Sequence, residues 1–317
     1  MRRRAVWWWL PAAVGIVILA AAGTAVITTA GGSSDRRPAS EAVKTTRNSR
    51  HKPKQTIPDG ISLKGGPKVH VRLRPRAAGG LLFDLDTGHV LWSHDPVVVR
   101  PIASLTKIMT ALLVVEHTNK QAQAKIGRDA LHYTGSEVGV LPLGKNVPVN
   151  ALLYGLLLPS GNDAAVALAD RISGSDQNFA KLMNRRAKEL GLHCTRFASS
   201  YGLQDGNRSC PVDLAALSRL VMSKPRIARI VGTWHANMAF PIKGGRLDLF
   251  SHNPLMRLRY PGTIGLKTGF TNPAGKCFVG IARHGSHTLG VVLLNSMDIG
   301  GQARQLLDAG FRALPGS

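Results

Sequence analysis

Ser104 and Lys107 lie three residues apart at the head of an apolar run. Leu105, Ile108, Met109, Leu112 and Leu113 recur in it at helical spacing. A serine hydroxyl is a poor nucleophile at neutral pH and needs a base within reach. A lysine amine can be that base once burial or a nearby cation lowers its pKa. Ser160-Gly161-Asn162 follows the apolar stretch Leu156-Leu157-Leu158-Pro159 and reads as a polar loop between two helices, where Asn162 or Asp163 could also be a plain helix cap. Lys267-Thr268-Gly269 ends a strand-like segment. A cation, a hydroxyl and a residue without Cβ can there hold a carboxylate and let a peptide backbone lie alongside. Each tripeptide is common by itself. Their order, and the helix, loop and strand on which they fall, carry the signal.

These residues need elements to position them. Leu81 to Leu85 and Val90 to Trp92 read as two strands of a hairpin across Asp86-Thr87-Gly88. A helix is expected from about 103 to 115. Residues 120–230 read as mostly helical, with 151–158, 164–172, 177–190 and 212–222 as the clearest cases. Strands return after Ile230, at 262–267, 276–283 and 288–294, the last two joined by the turn His284-Gly285-Ser286-His287. An amphipathic helix over 302–314 closes the pattern. The expectation is an α+β fold whose antiparallel sheet is built from both ends of the chain, with a helical subdomain at about 120–230 inserted. No internal repeat is visible.

In this order the three motifs match the penicillin-binding proteins and class A β-lactamases. From about Gly79 to Phe311 the chain resembles the D-alanyl-D-alanine carboxypeptidases, the low-molecular-mass penicillin-binding proteins. Phe83-Asp84-Leu85-Asp86-Thr87-Gly88 looks like that family's opening hairpin, and Arg100-Pro101-Ile102-Ala103 is a familiar lead-in to the serine. Leu156 to Ala165, and Tyr260-Pro261-Gly262 ahead of Lys267 to Thr271, are similar to the family's wording. Ser200-Tyr201 stand where relatives often carry Asn-Pro, and a further β-rich domain common among them is not expected after the closing helix.

The resemblance implies a serine β-lactamase/DD-peptidase-like fold and acyl transfer through an acyl-enzyme. Ser104 would be the nucleophile and Lys107 its base. Ser160 and Lys267 would relay protons to the leaving amine, and Asn162 would hold the substrate peptide. Thr268 with Lys267 would bind the terminal carboxylate. The backbone N–H groups of Ser104 and Phe270 would form the oxyanion hole. The implied substrates are peptidoglycan stem peptides, with β-lactam antibiotics as covalent inhibitors of Ser104. No cofactor or metal is implied: His284 and His287, the closest histidine pair with a ligand-like gap, flank a turn and have no partner in sequence. A β-lactamase would share the trio, but no Glu-x-x-Leu-Asn segment lies between Asn162 and Lys267. A non-catalytic module binding the wall or sensing β-lactams would not need the serine–lysine pair.

The 317 residues carry a net charge of +23. Residues 1–77 hold 15 lysines and arginines against 3 acidic residues, so about half of that charge lies there. Nucleic acid is the usual partner of so basic a chain, and the N-terminus argues against it. Arg2, Arg3 and Arg4 precede an uncharged run from Ala5 to Ala30, long enough for a membrane helix, with Trp7, Trp8 and Trp9 at the interface position. Residues 1–30 are therefore expected to be an N-terminal membrane anchor, with a cleaved signal segment as the alternative. Both place the rest outside the membrane and leave no role for nucleic acid. Residues 31–78, rich in Lys, Arg, Pro and Ser, are expected to form a solvated basic spacer, and 79–317 the catalytic domain. Export would also favour a disulfide. Cys194 and Cys210 bracket a loop-like stretch and are the expected pair, with Cys277 buried on a strand; three free thiols is the alternative.

Overall fold

In a computed structural model of the chain, residues 58–65, 68–132 and 134–314 are described. Strands β1 (Gly79–Asp84) and β2 (Val90–His94) open the chain's ordered core, and β3 (Arg100–Pro101) follows. A 3-10 turn at Ala103–Thr106 leads into α1 (Lys107–His117). The short strands β4 (Gln123–Lys125) and β5 (Asn146–Pro148) pair with each other. Three helices come next: α2 (Val149–Leu157), α3 (Asn162–Ser173) and α4 (Asp176–Glu189). Strand β6 (Arg208–Ser209) returns to pair with β3. Helices α5 (Pro211–Met222) and α6 (Pro225–Val231) lead to a hairpin of β7 (His235–Ala239) and β8 (Arg246–Phe250). After α7 (Pro254–Arg257) come β9 (Thr263–Thr271), β10 (Gly275–His284), β11 (His287–Leu294) and α8 (Ile299–Arg312).

The main sheet has the order β2-β1-β11-β10-β9, all antiparallel. Its two chain ends meet where β1 pairs with β11, from Gly79 opposite Leu294 to Asp84 opposite Leu289. The helical block lies between them in sequence, as the motif order requires. Both faces of the sheet are covered. On one, Leu82, Leu289, Val291 and Leu293 meet Leu306, Leu307 and Phe311 of α8; on the other, Leu81, Phe83, Val292 and Leu294 join the core of α1, α2, α3 and α5. Burial on two faces is why the sequence 289–294 is apolar throughout rather than alternating. Helix α1 is likewise buried from Lys107 to Val114, so its pattern is apolar on all sides and it runs through the middle of the larger core.

Two features differ from the sequence reading. The spacer expected over 31–78 does not extend over 58–65 and 68–78, which dock on the edge of the sheet. Ser62 bridges His89, the Val69 N–H donates to the Leu91 carbonyl, and Trp92 Nε1 donates to the Val71 carbonyl at 3.1 Å. Ile61, Leu73 and Ala77 are buried. Apolar residues alternating with cations supply the burial that composition alone concealed. The second feature is the β7–β8 hairpin, to which the sequence reading gave no strands. The expected anchor at 1–30 and the upstream part of the spacer lie outside the described residues. Among the described residues no helix is long and apolar enough to cross a membrane.

Candidate active site

The expected helix over 103–115 begins instead as a 3-10 turn carrying Ser104, and the α-helix starts at Lys107. In a 3-10 turn side chains at i and i+3 eclipse, which sets Ser104 above Lys107. The residue before the serine, Ala103, has a left-handed φ of 48°, a strained conformation for an alanine. Its surroundings hold it there. The Thr106 hydroxyl donates to the Ala103 carbonyl at 2.8 Å. Gly202 passes so close that a Cβ on it would lie 2.2 Å from the same oxygen.

Lys107 is fully buried, and its amine has three neighbours: Ser104 Oγ at 2.9 Å, Asn162 Oδ1 at 2.8 Å and the Tyr201 carbonyl at 2.7 Å. Burial lowers its pKa well below the usual lysine range; the nearby Lys267 lowers it further, and Asp163 opposes them. A neutral amine has two N–H bonds and one lone pair. The Tyr201 carbonyl can only accept. The Asn162 amide is oriented by its other end, since Nδ2 donates to the Thr134 carbonyl at 2.9 Å, so its oxygen faces the amine. In the neutral form both N–H bonds would be taken by pure acceptors, and the lone pair would be directed at Ser104 Oγ.

Asn162 opens α3, and Ser160 sits just before it with a left-handed φ of 71°. Ser160 is buried, and its Oγ has no hydrogen-bond partner. An orphaned buried hydroxyl awaits a bound group or water. Asp163, read in the sequence as a possible cap, has a larger task. Its carboxylate accepts the Val138 and Gly139 N–H groups at 2.9 Å each and its own neighbour's Ala164 N–H at 2.8 Å. It thereby fixes the 134–139 loop whose Thr134 carbonyl orients Asn162.

Strand β9 forms the sheet edge beside the serine. Lys267 is buried, with Nζ donating to the Thr268 carbonyl at 2.9 Å, and burial pushes its pKa down to about 7. Gly269 shares its strand face with Lys267. A Cβ there would lie 3.0 Å from the Ser104 N and the Ile102 carbonyl, so the missing side chain lets β9 close on the serine's turn. Thr268 is half-buried and Phe270 is 61% exposed. His252 belongs to the same neighbourhood: its N–H donates to the Leu158 carbonyl, and burial with Lys267 and Arg257 lowers its pKa.

The remaining support comes from the loop 195–209. Cys194 and Cys210 are bonded, with Cα atoms 5.6 Å apart, and Cys277 is free and buried. The bridge closes the loop at its base. Inside it, the Asn207 Nδ2 donates to Ser199 Oγ at 3.0 Å, Thr110 of α1 donates to the Ser200 carbonyl at 2.6 Å, and the Tyr201 carbonyl receives Lys107. The β3–β6 pairing ties its end to the lead-in of Ser104. Ser200-Tyr201 therefore act through main-chain carbonyls. Cys194, Cys210 and Asp213 also form a cluster of metal-donor types among the described residues, but both sulfurs are engaged in the disulfide.

Ser104, Lys107 and Asn162 are thus joined directly. Gly269 abuts Ser104, Lys267 acts electrostatically on Lys107, Thr268 and Phe270 flank Gly269 in the chain, and Ser160 lies two residues before Asn162. Sequence reasoning missed Tyr201, Gly202, His252 and the loop-holding role of Asp163.

The family model for D-alanyl-D-alanine carboxypeptidases matches residues 69–298. The D-alanyl-D-alanine carboxypeptidase DacF of Bacillus subtilis is 33% identical over 235 residues, 72% of this chain and 59% of the relative. DacB2 of Mycobacterium tuberculosis, of the same description, is 36% identical over 245 residues, 74% of this chain and 82% of the relative. The crystal structure of the Streptomyces K15 DD-transpeptidase superposes with a TM-score of 0.70 at 32% identity, covering 74% of this chain and 97% of that one. By motif order, sheet topology and these likenesses, the chain belongs to the D-alanyl-D-alanine carboxypeptidase family of serine peptidases.

Proposed function

We propose that the protein removes the terminal D-alanine from peptidoglycan stem peptides through an acyl-enzyme on Ser104, and that β-lactams acylate the same oxygen. The observation that carries this is the Lys107 amine, both of whose N–H bonds are held by acceptors while its third direction meets Ser104 Oγ at 2.9 Å.

In the acylation step Ser104 Oγ attacks the carbonyl between the two D-alanines and its proton passes to Lys107 Nζ. The oxyanion is held by the N–H groups of Ser104 and Phe270. Collapse breaks the C–N bond, and the proton held by Lys107 passes through the unpartnered Ser160 hydroxyl to the leaving amine, with Lys267 as the neighbouring cation. The charged Lys267 and the Thr268 hydroxyl receive the terminal carboxylate. Asn162 keeps one amide N–H for the substrate peptide, since its oxygen and other N–H are already used, and so acts mainly as a positioning residue. Water then attacks the ester, Lys107 takes the water's proton and returns it to Ser104 Oγ as the acyl C–O bond breaks, and the shortened peptide leaves as a carboxylate. No Glu-x-x-Leu-Asn segment lies between Asn162 and Lys267, which favours a peptidase over a class A β-lactamase, whose fast deacylation uses that glutamate.

We further propose that residues 5–30 anchor the protein in the membrane with the catalytic residues on the outer side. Extraction of membranes at alkaline pH tests this: an integral anchor stays with the lipid, and release into the supernatant refutes it. For the activity, the full-length protein is incubated with a muropeptide digest and the products are weighed. Loss of one alanine from pentapeptides is expected. Cleavage of cross-linked dimers alone, or formation of new dimers without free alanine, would replace the proposed reaction with an endopeptidase or a transpeptidase.

A further inference from the structure

We infer that the far edge of the sheet carries a docking strip for a linear phosphodiester polymer of the cell envelope, of the poly(glycerol phosphate) type. The strip is Lys68 to Arg76, in which every second residue is basic: Lys68, His70, Arg72, Arg74 and Arg76. The intervening Val69, Val71 and Leu73 pack into the core beneath α8. The backbone is fixed on both sides, by Trp92 Nε1 on the Val71 carbonyl and by Gln302 Nε2 on the Pro75 carbonyl at 2.6 Å. Lys68 is tied down, its ammonium donating to the Leu63 and Val90 carbonyls. His70, Arg72, Arg74 and Arg76 stand exposed, the first two on an extended stretch and the last two at and beyond a bend at Arg74-Pro75. Among the described residues the three arginines form no ion pair, and the strip holds no acidic residue.

Beside the strip runs a groove of about 600 Å³, where His70, Arg72 and Trp92 face Gln305, Ala309 and Arg312 of α8. Ala309 keeps its floor low, and Arg312 adds a cation on the opposite wall. Alternate residues of an extended chain are about 6.6–6.8 Å apart, comparable with the length of a glycerol phosphate repeat, so successive phosphates can meet Lys68, His70 and Arg72, and a flexible polymer can follow the bend at Arg74-Pro75 to Arg74 and Arg76. A membrane surface fits less well. Binding to a bilayer interface pairs cations with exposed apolar side chains, and none of the exposed large apolar residues lies on the strip or on the groove face of α8. The groove is also remote from the chemistry. It borders β2, four strand positions from β9, or about 19 Å at ordinary strand spacing. A polymer held there leaves the active centre open to stem peptides.

The test uses full-length protein in detergent and fluorescein-labelled poly(glycerol phosphate), with affinity read by anisotropy across a salt titration. The triple variant R72Q/R74Q/R76Q is expected to bind about tenfold to hundredfold more weakly, at roughly tenfold or less per lost cation. Its salt slope is expected to flatten by about two, if each lost phosphate contact contributes as in single-stranded nucleic acid. Peptide turnover should be unchanged, which reports correct folding, and R72K/R74K/R76K should retain binding. R47Q/R50Q/K52Q removes the same charge upstream and should lose less. Equal losses in the two glutamine triples, or no binding by the parent, overturns the strip. So does a loss confined to phosphatidylglycerol vesicles with polymer binding intact, which assigns it to the membrane instead.

Discussion

The molecule uses positive charge in two opposite ways. At the active centre Lys107 and Lys267 are buried, and burial drives both pKa values down. On the strip 70–76 the arginines are exposed, and a guanidinium keeps its charge at any ordinary pH. A buried lysine becomes a base because the protein denies its charge a solvent; an exposed arginine remains a fixed charge and can only attract. The difference lies in the surroundings as much as in the residue type. The amine of Lys107 is held by three partners from three segments, whereas among the described residues the strip's arginines form no ion pair. Chemistry should therefore fail abruptly when a buried partner is removed, and the strip should respond gradually and additively.

The largest effect is expected for Ser104→Ala, which removes the oxygen that becomes acylated. Fluorescent penicillin should leave no covalent band and alanine release should vanish, with folding unchanged by circular dichroism. Normal labelling of the variant would end the assignment. Next comes Lys107→Met, which is similar in length and apolar. Acylation should slow by about 10²–10⁴-fold, the usual span for a general base. A variant acylated at the parent rate would make Lys107 a structural residue only.

How much of this was legible differs between the regions. Ser104, Lys107, Ser160, Asn162 and Lys267 stood out because their chemistry needs particular side chains in short motifs. Tyr201 did not, because its contribution is a carbonyl that every residue carries; only the loop closed by Cys194 and Cys210 brings it to Lys107. Asp163 was visible as a helix cap, and its grip on Val138 and Gly139 depends on a tertiary contact that spacing does not encode. The sheet built from both chain ends was readable from β1, β10 and β11, whose burial makes them strongly apolar. The docked stretches 58–65 and 68–78 were not, because their arginines and prolines gave them the composition of a spacer while Val69, Val71 and Leu73 quietly alternated with cations.

Two further predictions probe the comparison at smaller amplitude. Lys107 must be neutral to act as a base, so kcat/KM rises with pH through its lowered pKa. Lys267 must be charged to receive a carboxylate, so kcat/KM falls as pH passes its value of about 7 in the free enzyme. Lys267→Arg should remove that alkaline limb, because the guanidinium does not deprotonate. A limb that stays in place belongs to another group. On the other side of the molecule, a chain starting at residue 58 should melt like the parent, and one starting at 79 should melt lower. The shorter chain uncovers the sites of Ile61, Leu73 and Ala77, and each large apolar side chain is worth about 1.5–3 kcal/mol when fully buried. Equal melting temperatures would make the segment a passive cover.

The smallest effect is expected at Cys277, which sharpens what burial does. Its thiol lies on β10 directly across from Gly269, and burial raises its pKa to about 11. The same physical cause acts on Lys107 and Lys267, since a low-dielectric site always favours the neutral form. The consequence is reversed. For an amine the neutral form carries the reactive lone pair, and for a cysteine the neutral thiol is the unreactive form. Cys277 should therefore be silent one strand away from an activated serine. Native protein treated with iodoacetamide at pH 8 should remain unlabelled and fully active. After denaturation without reductant, one thiol per chain should react, with Cys194 and Cys210 still joined. Cys277→Ala should leave the rate of penicillin acylation within about twofold, since the change removes a small buried group of nearly the same shape. Rapid labelling of the native thiol, with activity lost in step, would show that the β9–β10 edge opens to solvent, and would withdraw the closed, dry setting on which the lowered lysine pKa values depend.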